Sequence, residues 1–201
     1  MIHTIIFDIG RVLVKFEWRE YLAGFHFSPE AEKAIGKAMF LNPVWQEYDR
    51  GALPDEEILA LLYQSAPRYK EEIRNVFEQF PSCLELLPHA IPWIKDLKER
   101  GYRIYYLSNY AQTTRLKNPE ALSFLPFCDG GLFSYEVKLV KPEPAIYREL
   151  FSRFSIVPEQ AVFIDDTLGN LEAAETFGLR TVHFKDYASA SASLDALLAN
   201  G

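Results

Sequence analysis

The stretch His3-Thr4-Ile5-Ile6-Phe7-Asp8-Ile9-Gly10 decides how this chain is read. Residues 3–7 form a short run of β-branched and aromatic side chains with no polar alternation, which predicts a buried strand. The run stops at Asp8, and Gly10 follows two residues later, so a tight loop is expected there. Three more runs share the pattern. Residues 102–107 (Tyr-Arg-Ile-Tyr-Tyr-Leu) end at Ser108-Asn109, residues 161–164 end at Asp165-Asp166, and residues 180–184 form a fourth strand.

Helical patterns separate these runs. Residues 92–100 are amphipathic and stop at Gly101, which suits a left-handed helix cap. Residues 144–154 open with Pro144, a favoured first helical residue, and residues 168–177 stop at Gly178. Strands alternating with helices predict an α/β fold: a doubly wound, Rossmann-like parallel sheet with right-handed crossovers. Between the first two strands, residues 17–80 read differently. Helical starts recur at Ser28-Pro29 and Pro54-Asp55-Glu56-Glu57, and Ile58, Leu59, Leu61 and Leu62 fit one helical face. The expected organisation is a core built from residues 1–16 and 81–201 with a helical insertion, 17–80, after the first strand. Residues 188–201 read as a terminal helix.

Composition narrows the function. The 201 residues are 49% hydrophobic and carry a formal net charge of -7. A chain of this length buries a core without disulfides, and Cys83 and Cys128 show no metal or redox spacing, so both read as reduced thiols. The apolar run at the N-terminus lacks a basic flank and is too short for a signal peptide or a membrane span. Scattered basic residues give no footprint for nucleic acid or anionic lipid. The expectation is a cytoplasmic protein that handles a small ligand, with no nucleic-acid or membrane partner and its oligomeric state open.

Asp8, Ser108-Asn109 and Asp165-Asp166 each follow a buried strand directly. In an open parallel sheet these carboxyl ends line one crevice, where ligands bind. Each alone also reads as a turn former or helix cap; together they read as a site. Clustered carboxylates repel one another unless a cation compensates. Oxygen donors with room for water suit Mg²⁺, and Lys141, followed by Pro142 in Lys138-Leu139-Val140-Lys141-Pro142, supplies a fixed positive charge. An aspartyl nucleophile, a metal and a lysine around a phosphate dianion are what in-line phosphoryl transfer needs.

These segments resemble the four motifs of the haloacid dehalogenase-like hydrolases. Phe7-Asp8-Ile9-Gly10-Arg11-Val12-Leu13-Val14 is similar to the nucleophile motif, Leu107-Ser108-Asn109 to the second, Val140-Lys141-Pro142 to the third, and the stretch from Phe163 through Asp165, Asp166 and Asn170 to the fourth. They occur in the family's order, and the insertion at 17–80 lies where that family's helical cap lies. The resemblance implies a Mg²⁺-dependent phosphomonoester hydrolase of small phosphorylated metabolites, with the sugar phosphates as the analogy. It implies Asp8 as the nucleophile and a metal ligand, with the Gly10 carbonyl and Asp166 completing the metal site. Ser108 and the Asn109 amide would hold phosphate oxygens, and Lys141 would bridge nucleophile and phosphate. Asp165 would lie behind the metal ligands, and Asn170 would orient Asp166 or a metal-bound water.

One position departs from the pattern. Many phosphatases of the family carry a second aspartate two residues after the nucleophile, which protonates the leaving group and then activates water. Here that position is Gly10. A group in this role contributes about 10²–10⁴-fold. An activated water could substitute, or the chain could bind a phosphorylated ligand or a partner without turnover. A 2-haloacid dehalogenase needs no acid, but Asp166 argues against it; a phosphomutase needs one, and Gly10 argues against that.

Other residues are read as packing. His3 and His183 are expected inside strands as core residues. Trp18, Tyr21, Trp45 and Tyr48 are expected to fill the helical insertion, with the cap's inner face as the alternative. Lys15, Glu17 and Arg19 are placed near the crevice mouth, Lys138 is read as an exposed residue, and Arg11 carries no assignment.

Overall fold

The structure is a computed structural model and describes residues 1–199. The helical tail expected over 188–201 is described as far as Ala199; Asn200 and Gly201 lie outside the described residues.

Five parallel strands form the main sheet: β1 (Thr4–Phe7), β4 (Arg103–Ser108), β5 (Gly130–Phe133), β6 (Ala161–Asp165) and β7 (Arg180–His183), in the order β5-β4-β1-β6-β7. The continuous apolar character of β1 has a direct cause: helices cover both faces. Ile5, Phe7, Ile104, Val162 and Ile164 pack towards α6 (Ala90–Glu99) and α11 (Tyr187–Ala199), against Trp93, Ile94, Leu97 and Leu194. Ile6, Tyr105, Leu107 and Phe163 face the other way, towards α9 (Pro144–Phe154) and α10 (Leu168–Glu175), against Ile146, Tyr147, Leu150 and Leu171. Each such side chain contributes about 1.5–3 kcal/mol on full burial, so a one-residue slip of β1 would exchange two packed faces and is strongly disfavoured.

The register sets the site. Phe7 lies between Tyr106 of β4 and Ile164 of β6, and the Asp8 N–H donates to the Ile164 carbonyl at 2.8 Å. Asp8 therefore emerges at the level of Asp165, at the carboxyl edge of the sheet.

The chain then leaves through β2 (Val14–Lys15), which pairs antiparallel with β3 (Glu85–Leu86) where the chain returns. Between them lie α1 (Trp18–Ala23), α2 (Pro29–Ala38), α3 (Pro43–Arg50), α4 (Asp55–Ser65) and α5 (Lys70–Gln79). These helices surround an apolar cluster of their own that includes Leu22, Ile35, Met39, Tyr48, Ile58, Leu62, Ile73 and Phe77. Their ends follow local chemistry: Ser28 Oγ accepts from Ala31 N–H, Asn42 Oδ1 accepts from Val44 N–H, and prolines occupy the first helical positions. Gly51 ends α3 in the left-handed region at φ 65, where a Cβ would come within 2.8 Å of Tyr135 Cβ. α7 (Gln112–Lys117) and α8 (Ser134–Val137) complete the connections around β5.

The structure departs from the sequence reading in several places. β5 went unread because Gly130 and Gly131 depress strand propensity; a Cβ on Gly131 would lie 2.4 Å from Tyr106 Cγ, so the bare backbone is what lets the strand pair here. The pair β2–β3 is too short to show in a pattern. α6 begins at Ala90 rather than Pro92, with the proline inside its first turn. His3 lies outside β1 and is exposed, not a core residue. Cys83 and Cys128 are free, with burial pushing each thiol up to about 12. Among the described residues, no helix is long and apolar enough to cross a membrane.

Candidate active site

At the carboxyl edge, Asp8, Gly10, Arg11, Ser108, Asn109, Lys141, Asp166 and Asn170 line one crevice of about 200 Å³. The sheet thus brings together the residues singled out from four separate segments. Three residues of the wall were not anticipated, Phe16, Thr167 and Asp49 of α3; Trp45, also of α3, takes the alternative placement on the inner face of the helices.

Lys141 is the centre of the charge arrangement. It is 2% exposed, and its Nζ lies 2.8 Å from Asp8 Oδ1 and 2.6 Å from Asp165 Oδ2. Burial alone would lower the ammonium's pKa, but the charges of Asp165 and Asp8 hold it above the usual lysine value. The opposite balance holds at Asp8, which is 7% exposed. Burial pushes its carboxyl up to about 7, with Asp165 and Asp166 adding and Lys141 opposing. Asp8 Oδ2 makes no hydrogen bond within the described residues.

The loop carrying Lys141 is held by Asn109. Its Oδ1 accepts from Lys141 N–H at 2.7 Å and its Nδ2 donates to the Lys141 carbonyl at 2.9 Å. The same carbonyl accepts from Gln46 Nε2 of α3 at 3.2 Å. The Lys141–Pro142 peptide is cis. Ser108, 1% exposed, ends β4 inside the crevice wall.

Asp165 is fully buried and its two oxygens are occupied. They accept from Lys141, from Thr167 N–H at 2.8 Å and from Asn170 Nδ2 at 3.1 Å each. This corrects the role expected for Asn170: its side chain orients Asp165, not Asp166. The first turn of α10 places it there, and Tyr147 fixes that turn by donating to the Asn170 carbonyl at 2.8 Å. Asp166 instead accepts from Thr167 Oγ1 at 3.2 Å and from Arg11 Nη1 at 3.4 Å, while His183 Nε2 bonds its carbonyl at 3.1 Å. Arg11 also stacks over Phe16.

One oxygen each from Asp8, Asp165 and Asp166 falls within 4.8 Å of the others. Since Asp165 is saturated by hydrogen bonds, the donors left for a small divalent cation are Asp8 and Asp166. The competitors for Asp166 are the 3.2 Å bond from Thr167 Oγ1 to Oδ1 and the 3.4 Å contact from the part-exposed Arg11 to Oδ2. A hard oxygen set with two carboxylates and open space fits such an ion.

A smaller apolar pocket of about 60 Å³ adjoins the crevice, walled by Phe16, Trp45, Phe80 and Tyr110. Tyr110, one of these walls, has a buried hydroxyl with no hydrogen-bond partner among the described residues. Of the aromatics expected to fill the helices, Trp45 thus faces both cavities. Tyr48 is buried against Thr114 at 3.0 Å, Tyr21 donates to the Val76 carbonyl, and Trp18 stacks on Phe40. Lys15 pairs with Glu20, Glu17 with Arg11, and Arg19 lies over Trp18; none of the three lines the crevice. Lys138 is exposed and donates its ammonium to the Gly51 carbonyl.

The chain matches the family model for haloacid dehalogenase-like hydrolase over residues 2–178. It is 30% identical over 196 residues to drimenol cyclase of Aspergillus calidoustus, covering 92% of this chain but 34% of that protein, so the chain spans about a third of that relative's length. It is 24% identical over 198 residues to D-ribitol-5-phosphate phosphatase of Bacteroides thetaiotaomicron, covering 90% and 91% of the two chains. The structure of a predicted hydrolase of the same type from Porphyromonas gingivalis superposes with a TM-score of 0.75 at 25% identity, covering 98% of each chain. Motifs, sheet order and family model agree: the chain belongs to the haloacid dehalogenase-like hydrolase family.

Proposed function

We propose that this protein is a Mg²⁺-dependent phosphatase that cleaves a small phosphorylated metabolite through a phosphoryl group carried on Asp8. The observation that carries the reading is Lys141: a buried ammonium held between two carboxylates leaves one oxygen of Asp8 free at the floor of a polar crevice. A phosphate dianion entering there meets a fixed cation, where charge develops in the transferring group.

The free Asp8 oxygen attacks phosphorus, forming the aspartyl-phosphate as the bond to the leaving oxygen breaks. Ser108 Oγ and the Asn109 N–H hold phosphate oxygens. Lys141 keeps the nucleophile oriented and offsets charge on the phosphoryl group, while Asn109 fixes the backbone from which Lys141 extends. Asp165, Asn170 and Thr167 act one step back, by fixing Lys141. Asp8, Asp166 and the Gly10 carbonyl would hold Mg²⁺, which when bound neutralises the phosphate and the acidic cluster. Residues 17–80 act as a cap whose α3 forms one wall of the crevice.

The crevice is small, about 200 Å³, with the side pocket of about 60 Å³ beside it. That suits a phosphate with a short polar chain of the sugar-phosphate kind, which agrees with the phosphatase relative. The test is hydrolysis of p-nitrophenyl phosphate with Mg²⁺ and with chelator, wild type beside Asp8→Asn. Release that needs both Asp8 and Mg²⁺ supports the reading. Release unchanged in Asp8→Asn removes Asp8 as nucleophile, and no release by wild type turns the assignment towards ligand binding.

A further inference from the structure

The position two residues after the nucleophile is Gly10, and a Cβ built there meets nothing within 4 Å. The space that an acid–base side chain would fill is open. Asp49 lines both the crevice and the apolar side pocket together with Gly10.

Asp49 is not a loosely attached surface acid. Its residue is partly buried near the end of α3, and the core holds α3 at several points. Ser134 Oγ donates to the Asp49 carbonyl at 2.5 Å, Gln46 reaches the Lys141 carbonyl, and Tyr48 bonds Thr114. Arg50 makes a two-point ion pair with Glu143 at 2.7 and 3.0 Å. By contrast, the Asp49 carboxyl has no hydrogen bond or ion pair among the described residues. The neighbouring acids and bases are otherwise engaged: Arg50 points to Glu143, Arg11 to Asp166, and Lys141 to Asp8 and Asp165. Tyr48 and Tyr110 complete its surroundings as neutral phenols. Asp49 is thus the one carboxyl of the crevice wall with no assigned partner.

We propose that Asp49 is the general acid and base of the reaction, supplied by α3 in the role that Gly10 leaves vacant. This rests on the phosphatase reading and deepens it. As the phosphorus–oxygen bond of the ester breaks, the Asp49 carboxyl gives its proton to the leaving oxygen and becomes a carboxylate. That carboxylate then takes a proton from a water, whose oxygen attacks the phosphorus of the aspartyl-phosphate. The bond to Asp8 breaks, phosphate leaves, and Asp49 is protonated for the next cycle. Burial favours the protonated starting state: it pushes the Asp49 carboxyl up from its ordinary value, with the Asp8 charge adding and Lys141 opposing.

The test compares wild type, Asp49→Asn and the double variant Asp49→Asn/Gly10→Asp, all as full chains with Mg²⁺, on p-nitrophenyl phosphate and on glycerol 2-phosphate. Thermal melts check that each variant is folded. An aryl leaving group needs no proton, whereas an alkoxide does. The expected result is a loss of about 10²–10⁴-fold in single-turnover phosphorylation by the alkyl ester and of less than about 10-fold by the aryl ester. Phosphorylated Asp8 should accumulate from the aryl ester because its hydrolysis is slowed. Gly10→Asp should recover part of the loss, since the space for the side chain is there. Equal losses on both esters, or none on either, would overturn the assignment while leaving the phosphatase reading standing. A wild-type chain that cleaves neither ester would overturn both.

Discussion

Arg50 and Glu143 join α3 to the segment that carries Lys141 through a two-point ion pair at 2.7 and 3.0 Å. Glu143 Oε2 also accepts from the Val140 N–H at 3.3 Å, so the pair grips the backbone on both sides of Lys141. The side chain of Glu143 is held below the usual carboxylate range mainly by its hydrogen bond from Arg50. The wall bearing Asp49 and the loop bearing Lys141 are therefore tied together by this pair, alongside the Gln46 bond to the Lys141 carbonyl.

Arg50→Ala should separate stability from activity. A partly exposed, two-point pair is worth about 1 kcal/mol, so the melt should move by only a few degrees. Turnover should fall by about 10-fold or more, because a small displacement of reacting groups is costly. Arg50→Lys keeps the charge but lacks the planar fork, and should recover little. Steady-state kinetics beside thermal melts checks this; an equal response of both variants to a change in salt alone would point to charge rather than geometry.

Lys141→Met should be the most destabilising change at the site. It leaves Asp8 and Asp165 buried without their cation, and losing one partner of a buried ionic cluster costs about 3–5 kcal/mol. Urea denaturation reads the loss. Adding Asp8→Asn to Lys141→Met should recover part of it by removing one unpaired charge.

Asp166→Asn should raise the Mg²⁺ concentration needed for half-maximal activity by at least about 10-fold, with the fold unaltered. Direct Mg²⁺ titration by calorimetry, without substrate, checks the same change independently of turnover. Arg11→Ala should act in the opposite sense, since its only hold on Asp166 is the 3.4 Å contact that competes with a cation.

Asp49 makes stability depend on pH in a defined direction. Its carboxyl is raised from 3.8 to about 8 by burial, so between those values the unfolded chain binds fewer protons than the folded one. Stability linked to this group is complete below about pH 4 and is lost as pH rises through 8. Asp49→Asn removes the loss. Its melting temperature should match wild type near pH 4.5 and exceed it at pH 8.5 by about 2–4 °C per kcal/mol recovered, in metal-free buffer.

The core was legible because burial on two faces leaves a plain signature. A strand such as Thr4–Phe7 is buried at every position and carries no charge, so the first charged residue, Asp8, marks its end. The same logic exposed Ser108 and Asp165. β5 was not legible, since Gly130 answers to the ring of Phe154 and Gly131 to that of Tyr106, and neither to any strand preference. His3 misled for the converse reason: it continues the run in sequence but lies outside β1, where its side chain is exposed.

Asp49 left no comparable mark. On an amphipathic helix, a polar residue beside Tyr48 and Arg50 reads the same whether it faces water or a crevice. Asn170 was read as orienting Asp166 or a metal-bound water; the turn of α10 aims its amide nitrogen at Asp165.

By itself, then, the sequence determined the parallel core and the family, because hydrophobic period and motif order are local properties that survive without coordinates. Tertiary structure alone decided which carboxylate is spent on Lys141 and which remains free. It also decided that α3 brings Asp49, an acid with no hydrogen bond or ion pair among the described residues, into the same cavity wall as Gly10. Those outcomes depend on distances of 2.6–3.4 Å between segments more than 20 residues apart, which no spacing along the chain encodes.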